Sequence, residues 1–587
     1  MYGRNRPESP KGVYPRLDPN GEEEFRSPFW SVRSDRLSHP LAAGYVDGTL
    51  SSIIGSPYII EGDIGLKQWN PGDTGDPVCF NGFSCSCDEN AHVGYTLGSE
   101  NLPGVYLSNY DKLSPPTQSL LTLKPGESIT YDLLLSHLRG EDERIVNPVV
   151  RRVYDMFHQP PRPGADQKIT VEDITRAICR DTYLPELRAY STQVHLEEDH
   201  SANYDSARLY KTENGKIYLA IPSIAWTGGV ECATPVLMAA HRTGNDQWRE
   251  QALDAIQNIV DNSYSHESGL PYDAYDVTTK TWTTQGWWHF CLPTAGHSSY
   301  LVGQALFYIL KAWDTERTLT GTVHSDWLSF VERCLTNLMP TQNKDGAFPY
   351  LWDLKGKGID YDGFAGCWCL AAAAYYTKIT GDAKWMDRLF AAERWYHENY
   401  VVHVECYGTP HDTYKANDSE GILAYVRACG ILHQLTQDAR YLSNMVEGLE
   451  YEFTYKFCYN PPIQFPPLNK LNWSCSGGSI TSTCNPHIHP MSSSIIDEME
   501  YAYRHTKDKY LARRLKDTVE WSLQAHNTFD GEFDFGLKGW ATERYCYSEG
   551  LVTEKYEDET PSSVWFCYLP WAASCFLEGL CGVMWES

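Results

Sequence analysis

Apolar residues in the last four hundred positions recur at i, i+3, i+4 and i+7, the spacing that lines one face of an α-helix. Read this way, 229–241 leads into 247–260, 296–313 into 326–339, 363–379 into 384–400, 418–435 into 441–455, and 491–505 into 510–526. A helix over 171–180 has no partner before it, and one over 561–580 has no follower. In each pair the first member is apolar almost all round, as in CWCLAAAAYY at 367–376. The second is charged on one face, as in WMDRLFAAERWYHENY at 385–400. A helix that is apolar all round is buried, and an amphipathic one covers it. Five such pairs, with the first and last segments meeting as a sixth, predict an (α/α)6 barrel, a toroid of inner and outer helices.

Four joints within pairs share one pattern: TGNDQW at Thr243, TGDAKWM at Thr380, TQDARYL at Thr436 and TKDKYL at Thr506. Self-similarity at a period of roughly 55–70 residues is the mark of stacked helical hairpins. Each outer helix is followed by a long loop, and these loops (263–295, 341–361, 403–416, 460–490 and 527–560) gather above the N-termini of the inner helices. Long loops without elements of their own usually carry function, so the site is expected there.

Before residue 158 the pattern changes. Runs such as YIIEGDI, VYLSNY and ESITYDLLL lie between Gly, Pro and Asn clusters, which predicts strands. The expected organisation is a β-rich, sandwich-like domain over 1–157, a Pro-rich linker over 158–168 and the helical catalytic domain over 169–587.

Composition narrows the partners. With 76 acids against 49 bases among 587 residues, the formal charge is −27, which disfavours nucleic acid and anionic membranes. No stretch is long and apolar enough to span a bilayer. The N-terminal MYGRNRPESPKGVYPRLDP lacks the apolar core of a secretory signal. Eighteen cysteines, several inside helices, read as reduced core thiols, and the expected location is cytoplasmic. Assembly is open, and a homodimer is compatible with the chain.

The loops are rich in aromatic residues, including Trp226, Trp287, Trp288, Tyr350 and Tyr545. Aromatic faces stack on sugar rings while Tyr and Trp keep a polar handle for hydroxyls. Carboxylates stand among them: Glu231, Asp345, Asp353, Asp360, Asp362, Asp412, Asp418, Glu420, Glu543 and Glu549. Hydrolysis of a glycosidic bond needs one carboxyl held protonated and a second held ionised. Asp418 and Glu231 open helices, where carboxylates often serve as caps. Asp345 and Asp412, in polar loops, are the expected catalytic pair, with Glu231 as substitute. His289, His297, His411, His487 and His489 share this rim with Arg544 and Lys415. They suit either the binding of a uronate carboxylate or proton abstraction in a β-eliminating lyase, with His289 as a further catalytic candidate. Cys475, Cys484, His487 and His489 lie close in sequence but match no familiar zinc spacing, so no metal is expected. No nucleotide-binding glycine motif is present, and no cofactor is expected.

The segments FWSVRSDRLSHPLAAGYVDGTLSS, LKPGESITYDLLLSH, SIAWTGGVECATP, NKDGAFPY, ANDSEG and YCYSEGL resemble bacterial sequences of glycoside hydrolase family 154. The resemblance implies a β-domain followed by an (α/α)6 barrel and β-glucuronidase activity on oligosaccharides containing uronic acid. It supplies no catalytic pair, so the residues above rest on the loop argument. A uronan lyase and a non-catalytic sugar-binding protein are the alternatives.

Overall fold

The structure, a computed structural model, describes residues 29–60, 78–86, 92–100, 106–108, 112–114, 118–119, 123–162, 169–194, 209–286, 294–411, 415–463, 465–482, 487–548 and 554–582. The chain is mainly helical. Its helices are α1 (Asn147–Phe157), α2 (Val171–Asp181), α3 (Val230–Thr243), α4 (Asp246–Asn262), α5 (Ser299–Thr320), α6 (Ser325–Leu338) and α7 (Cys367–Thr380). They continue with α8 (Met386–Asn399), α9 (Gly421–Thr436), α10 (Ala439–Tyr455), α11 (Ile496–Thr506), α12 (Lys509–Gln524) and α13 (Pro570–Leu580).

Contacts between these elements run in a ring. α3 packs on α5, α5 on α7 and α7 on α9. α9 meets α11 and the 3-10 turn Pro490–Ile495 before it; that turn packs on α13, and α13 returns to α3. Outside lie α4, α6, α8, α10 and α12, each against its hairpin partner, and α2 closes the set by packing on α13 and α3. Among the inner helices, every residue of α9 from Gly421 to His433 is buried. The outer α4 buries one face through Trp248, Ala252, Ala255, Ile256 and Ile259.

The repeated joints have a common mechanism. The hydroxyls of Thr243, Thr380, Thr436 and Thr506 each donate to the carbonyl four residues back, closing the last helical turn. Asp382, Asp438 and Asp508 then donate their own N–H to that threonine hydroxyl. The carboxylates of Asp438 and Asp508 accept from the opening turn of the next helix, which satisfies N–H groups that no helix can bond internally. Between Thr and Asp, the residue takes a left-handed backbone: Gly244, Gly381, Gln437 and Lys507, with φ of 66°, 74°, 57° and 57°.

Two expectations need amending. α13 begins at Pro570 rather than 561, because 561–562 and 567–568 are short strands that pair with other loops. Residues 147–157, assigned above to the β-rich domain, form α1 against α10, with Arg151 bridging Glu450 and Asp508 and Tyr154 donating to Asp517.

In the N-terminal part, the strands Phe29–Arg33, Gly82–Ser86 and His92–Thr96 make one antiparallel sheet. Leu41–Val46, Thr49–Ile54 and Leu134–Arg139 make a second, and the two sheets are in contact. The turn after the first strand is buried in the helical part. There Asp35 accepts from Ser548, Ser34 accepts through its carbonyl from Tyr459, and His39 meets the Arg514 guanidinium at 2.7 Å. No helix among the described residues is long and apolar enough to cross a membrane.

Candidate functional site

Glu420 is the residue immediately before α9, and it is 2% exposed. Asp418 fixes its backbone: Oδ1 accepts the N–H groups of Glu420 and Gly421 at 2.9 Å each, and Oδ2 that of Thr409 at 3.3 Å. Asp418 is therefore the cap that its place at a helix start suggested, and its bonds fix the backbone that carries Glu420. The Glu420 carboxyl takes the Tyr300 hydroxyl at 2.9 Å on one oxygen and His489 Nε2 at 3.2 Å on the other. His489 Nδ1 accepts the Met491 N–H, so its proton sits on Nε2 and faces Glu420.

Burial sets the protonation of this group. Desolvation pushes Glu420 up to about 8, against the Tyr300 hydrogen bond and with the charge of Glu543 adding to it. Desolvation holds His489 down at about 4, so at neutral pH the pair is a carboxylic acid beside an uncharged imidazole. Aromatic rings surround them: Trp571 lies 5.1 Å from the His489 ring, and Trp226 lies 6.3 Å from Trp571 and 5.8 Å from Tyr300. His411 Nε2 meets Ser298 Oγ at 2.8 Å, and its ring is 5.0 Å from Tyr350 and 6.2 Å from Tyr300. Asp273, fully buried, accepts the Ser298 N–H at 3.4 Å.

Of the residues expected from sequence, this cluster brings together Glu231, Trp226, Tyr350, His411, His487 and His489, with Arg544 beside the two histidines. Glu231, 1% exposed, is pushed well above the carboxylate range, by burial first and by the Glu578 charge second. Unlike Asp418 it caps nothing, since the start of α3 has no side-chain cap. Arg544 stacks on Trp565 at 4.6 Å and stands 3.6 Å from Glu543. Burial and the Arg544 charge hold His487 well below its ordinary value. The positive charge expected of Arg544, His487 and His489 together therefore rests on Arg544.

Others fall elsewhere. Asp345 is exposed, in a turn organised by Asn343, whose amide oxygen accepts three successive N–H groups. The adjoining Gly346 packs on Ala391 and Trp395 of the outer helix α8, which removes Asp345 from the cluster around Glu420. Tyr545 is buried and donates to the Ala525 carbonyl while its ring stacks on Trp473 at 5.0 Å, so its hydroxyl is committed to packing. His297 pairs in a strand with Trp352 and donates from Nδ1 to the Pro271 carbonyl at 2.9 Å. Lys415 bonds Asp360 at 2.7 Å and covers the Tyr350 ring. Asp412, Trp287, Trp288, His289 and Cys484 lie outside the described residues. The sequence reading ranked Glu420 below the loop acids, and it missed Tyr300, Trp571 and Asp273. The pattern ANDSEG before an inner helix was the available signal for Glu420.

No protein-family model matches the chain, and no curated protein does. Among solved structures, the chain is similar to a sugar epimerase from a ruminal bacterium, with 13% identity and a TM-score of 0.43 over 70% of this chain and 98% of that one. It is similar to the unsaturated glucuronyl hydrolase of Bacillus sp. GL1, with 11% identity and a TM-score of 0.40 over 70% and 95%. It is also similar to the GH76 α-mannanase of Bacteroides thetaiotaomicron, with 12% identity and a TM-score of 0.44 over 70% and 93%.

Proposed function

We propose that the chain is an (α/α)6-barrel glycoside hydrolase that removes β-linked glucuronic acid from oligosaccharides. The observation that carries this reading is Glu420, a carboxyl kept protonated at neutral pH at the mouth of the helical ring and walled by Trp226, Trp571 and Tyr300. Glycosidic cleavage needs such an acid to protonate the departing oxygen, because an alkoxide is a poor leaving group. Tyr300 and His489 hold the carboxyl in one orientation, so the proton is delivered to one place. Asp412, on the loop that leads into α9, is the proposed base that activates water. Arg544 is the proposed partner of the uronate carboxylate.

A second reading, β-elimination, is favoured by the Tyr300 hydroxyl beside Glu420, since a tyrosine hydroxyl is suited to moving a proton at carbon. Digestion of glucuronic-acid oligosaccharides distinguishes the two. Free glucuronic acid with water added supports hydrolysis. A product with the ultraviolet absorbance of a conjugated double bond supports elimination, and no product from any uronide removes both. Replacing Arg544 by Ala should reduce turnover of uronides at least tenfold more than that of neutral glycosides; about tenfold is the weight of one charge-assisted hydrogen bond. Equal losses on both substrates would remove Arg544 from the recognition of the carboxylate.

A further inference from the structure

Gln304 stands on α5 between two tyrosines whose hydroxyls both reach across the ring. Tyr300, four residues before it, bonds Glu420, and Tyr308, four residues after it, bonds Glu578 of α13. Residues four apart share a helix face, so Gln304 faces the axis in the tier between them. It is fully buried, and neither its amide nitrogen nor its amide oxygen has a hydrogen-bond partner.

Glu231 enters the same tier from α3. Its charge is coupled to those of Glu578, Arg427 and Glu420 and is felt by Tyr308 and Cys575. Neither of its oxygens has a partner at hydrogen-bond geometry, and nor does the Trp571 indole nitrogen, which lies near enough to favour the Glu231 anion. The tiers on either side are bonded, Arg427 Nε excepted. Above, Glu420 is bonded by Tyr300 and His489. Below, Arg427 bonds Tyr308, Ser494 and Glu578, and Lys311 bonds Glu578 as well. Buried polar groups are nearly always paired, so an unpaired tier between two paired ones marks the place of an occupant.

The chemistry of the tier selects that occupant. An amide offers donors and an acceptor side by side, a carboxylic acid offers one of each, and the indole adds a donor. Arg427 and Lys311 both bond Glu578, so the tier has no cation to spare for an anionic group. A neutral face that donates and accepts from adjacent atoms fits, as the vicinal hydroxyls of a sugar ring do, with a uronate carboxylate left to Arg544. The Arg427–Glu578–Lys311 network lies one helical turn further along α5, at the level of Tyr308.

We propose that Gln304 and Glu231 form a hydroxyl-binding subsite for one sugar ring. This rests on the sugar-processing reading above. The test is binding of D-glucose, D-glucuronic acid and a panel of monodeoxy glucoses, followed by calorimetry, to the unaltered protein and to Gln304→Met and Glu231→Met, both apolar and close to the original volume. Each variant should bind glucose at least about tenfold more weakly, the weight of one lost hydrogen bond. For Gln304→Met, one monodeoxy sugar should show no further loss relative to glucose, because the hydroxyl it lacks is the partner of Gln304. Should Gln304→Met fail to fold, Glu231→Met carries the same comparison. Sugar affinity unchanged in the folded variants overturns the subsite and leaves the sugar-processing reading standing. An unaltered protein that neither binds nor turns over any sugar overturns both.

Discussion

At the scale of single residues, the chemistry turns on what burial does to one carboxyl. With Glu420 at about 8, a mechanism that uses its proton should keep its activity through neutral pH and lose it as pH rises past about 8. Glu420→Gln should lower turnover by about 10²–10⁴-fold, the usual weight of general acid catalysis, whereas Asp345→Asn should leave it unchanged. Tyr300→Phe removes the hydrogen bond that lowers the Glu420 value, so it should move the alkaline limb of the pH–rate profile upward. Linkage gives the same carboxyl a second signature. The folded state holds this proton above the ordinary value of 4.5, so folding is progressively disfavoured as pH rises from 4.5 to about 8. Glu420→Gln should therefore melt above the unaltered protein at pH values over 8, with the gain shrinking toward acid pH. Sequence named the rim and most of its aromatic and histidine residues, but it ranked Asp345 and Asp412 over Glu420. Polarity of the surrounding loop is visible in a sequence, while depth of burial is not. Asp345, in a polar loop, is exposed; Glu420, in an equally polar run, is buried by residues more than sixty positions away, such as Tyr300 and His489.

At the scale of elements, the hairpin joints were legible because their chemistry is local. Thr closes one helix, Asp caps the next, and both act within three or four residues. Asp438→Ala and Asp508→Ala should each cost about 1 kcal/mol in denaturant unfolding, the weight of a helix N-cap. Gln437 and Lys507 hold the left-handed conformation that glycine occupies in the sister joints. Gln437→Gly and Lys507→Gly should thus be neutral or stabilising by up to about 1 kcal/mol, where a glycine inside a helix would destabilise. The start of α13 was less legible because the apolar run before it supplies strands. Pairing of Val194 with Cys567 is decided by residues far apart in the chain, and periodicity over a short apolar run does not separate the two states.

At the scale of the molecule, the ring closes where α13 meets α3, α2 and the turn Pro490–Ile495. Close approach there depends on Gly579, since an added Cβ would fall 2.1 Å from the Ser493 carbonyl oxygen. That oxygen is backbone and cannot swing away. Gly579→Ala should destabilise the fold by about 1–3 kcal/mol or more, seen as a lower Tm. The buried turn Arg33–His39 bears on how the molecule comes apart. Arg514 is fully buried, and one of its partners, His39, arrives from the other part of the chain more than four hundred residues away. Pulling the sheets off would leave a buried guanidinium short of one partner, which is costly in the interior. The sheets therefore behave as a cork whose withdrawal spoils the bottle. Heating should yield one calorimetric transition for the whole chain, and the helical part produced by itself should aggregate rather than fold.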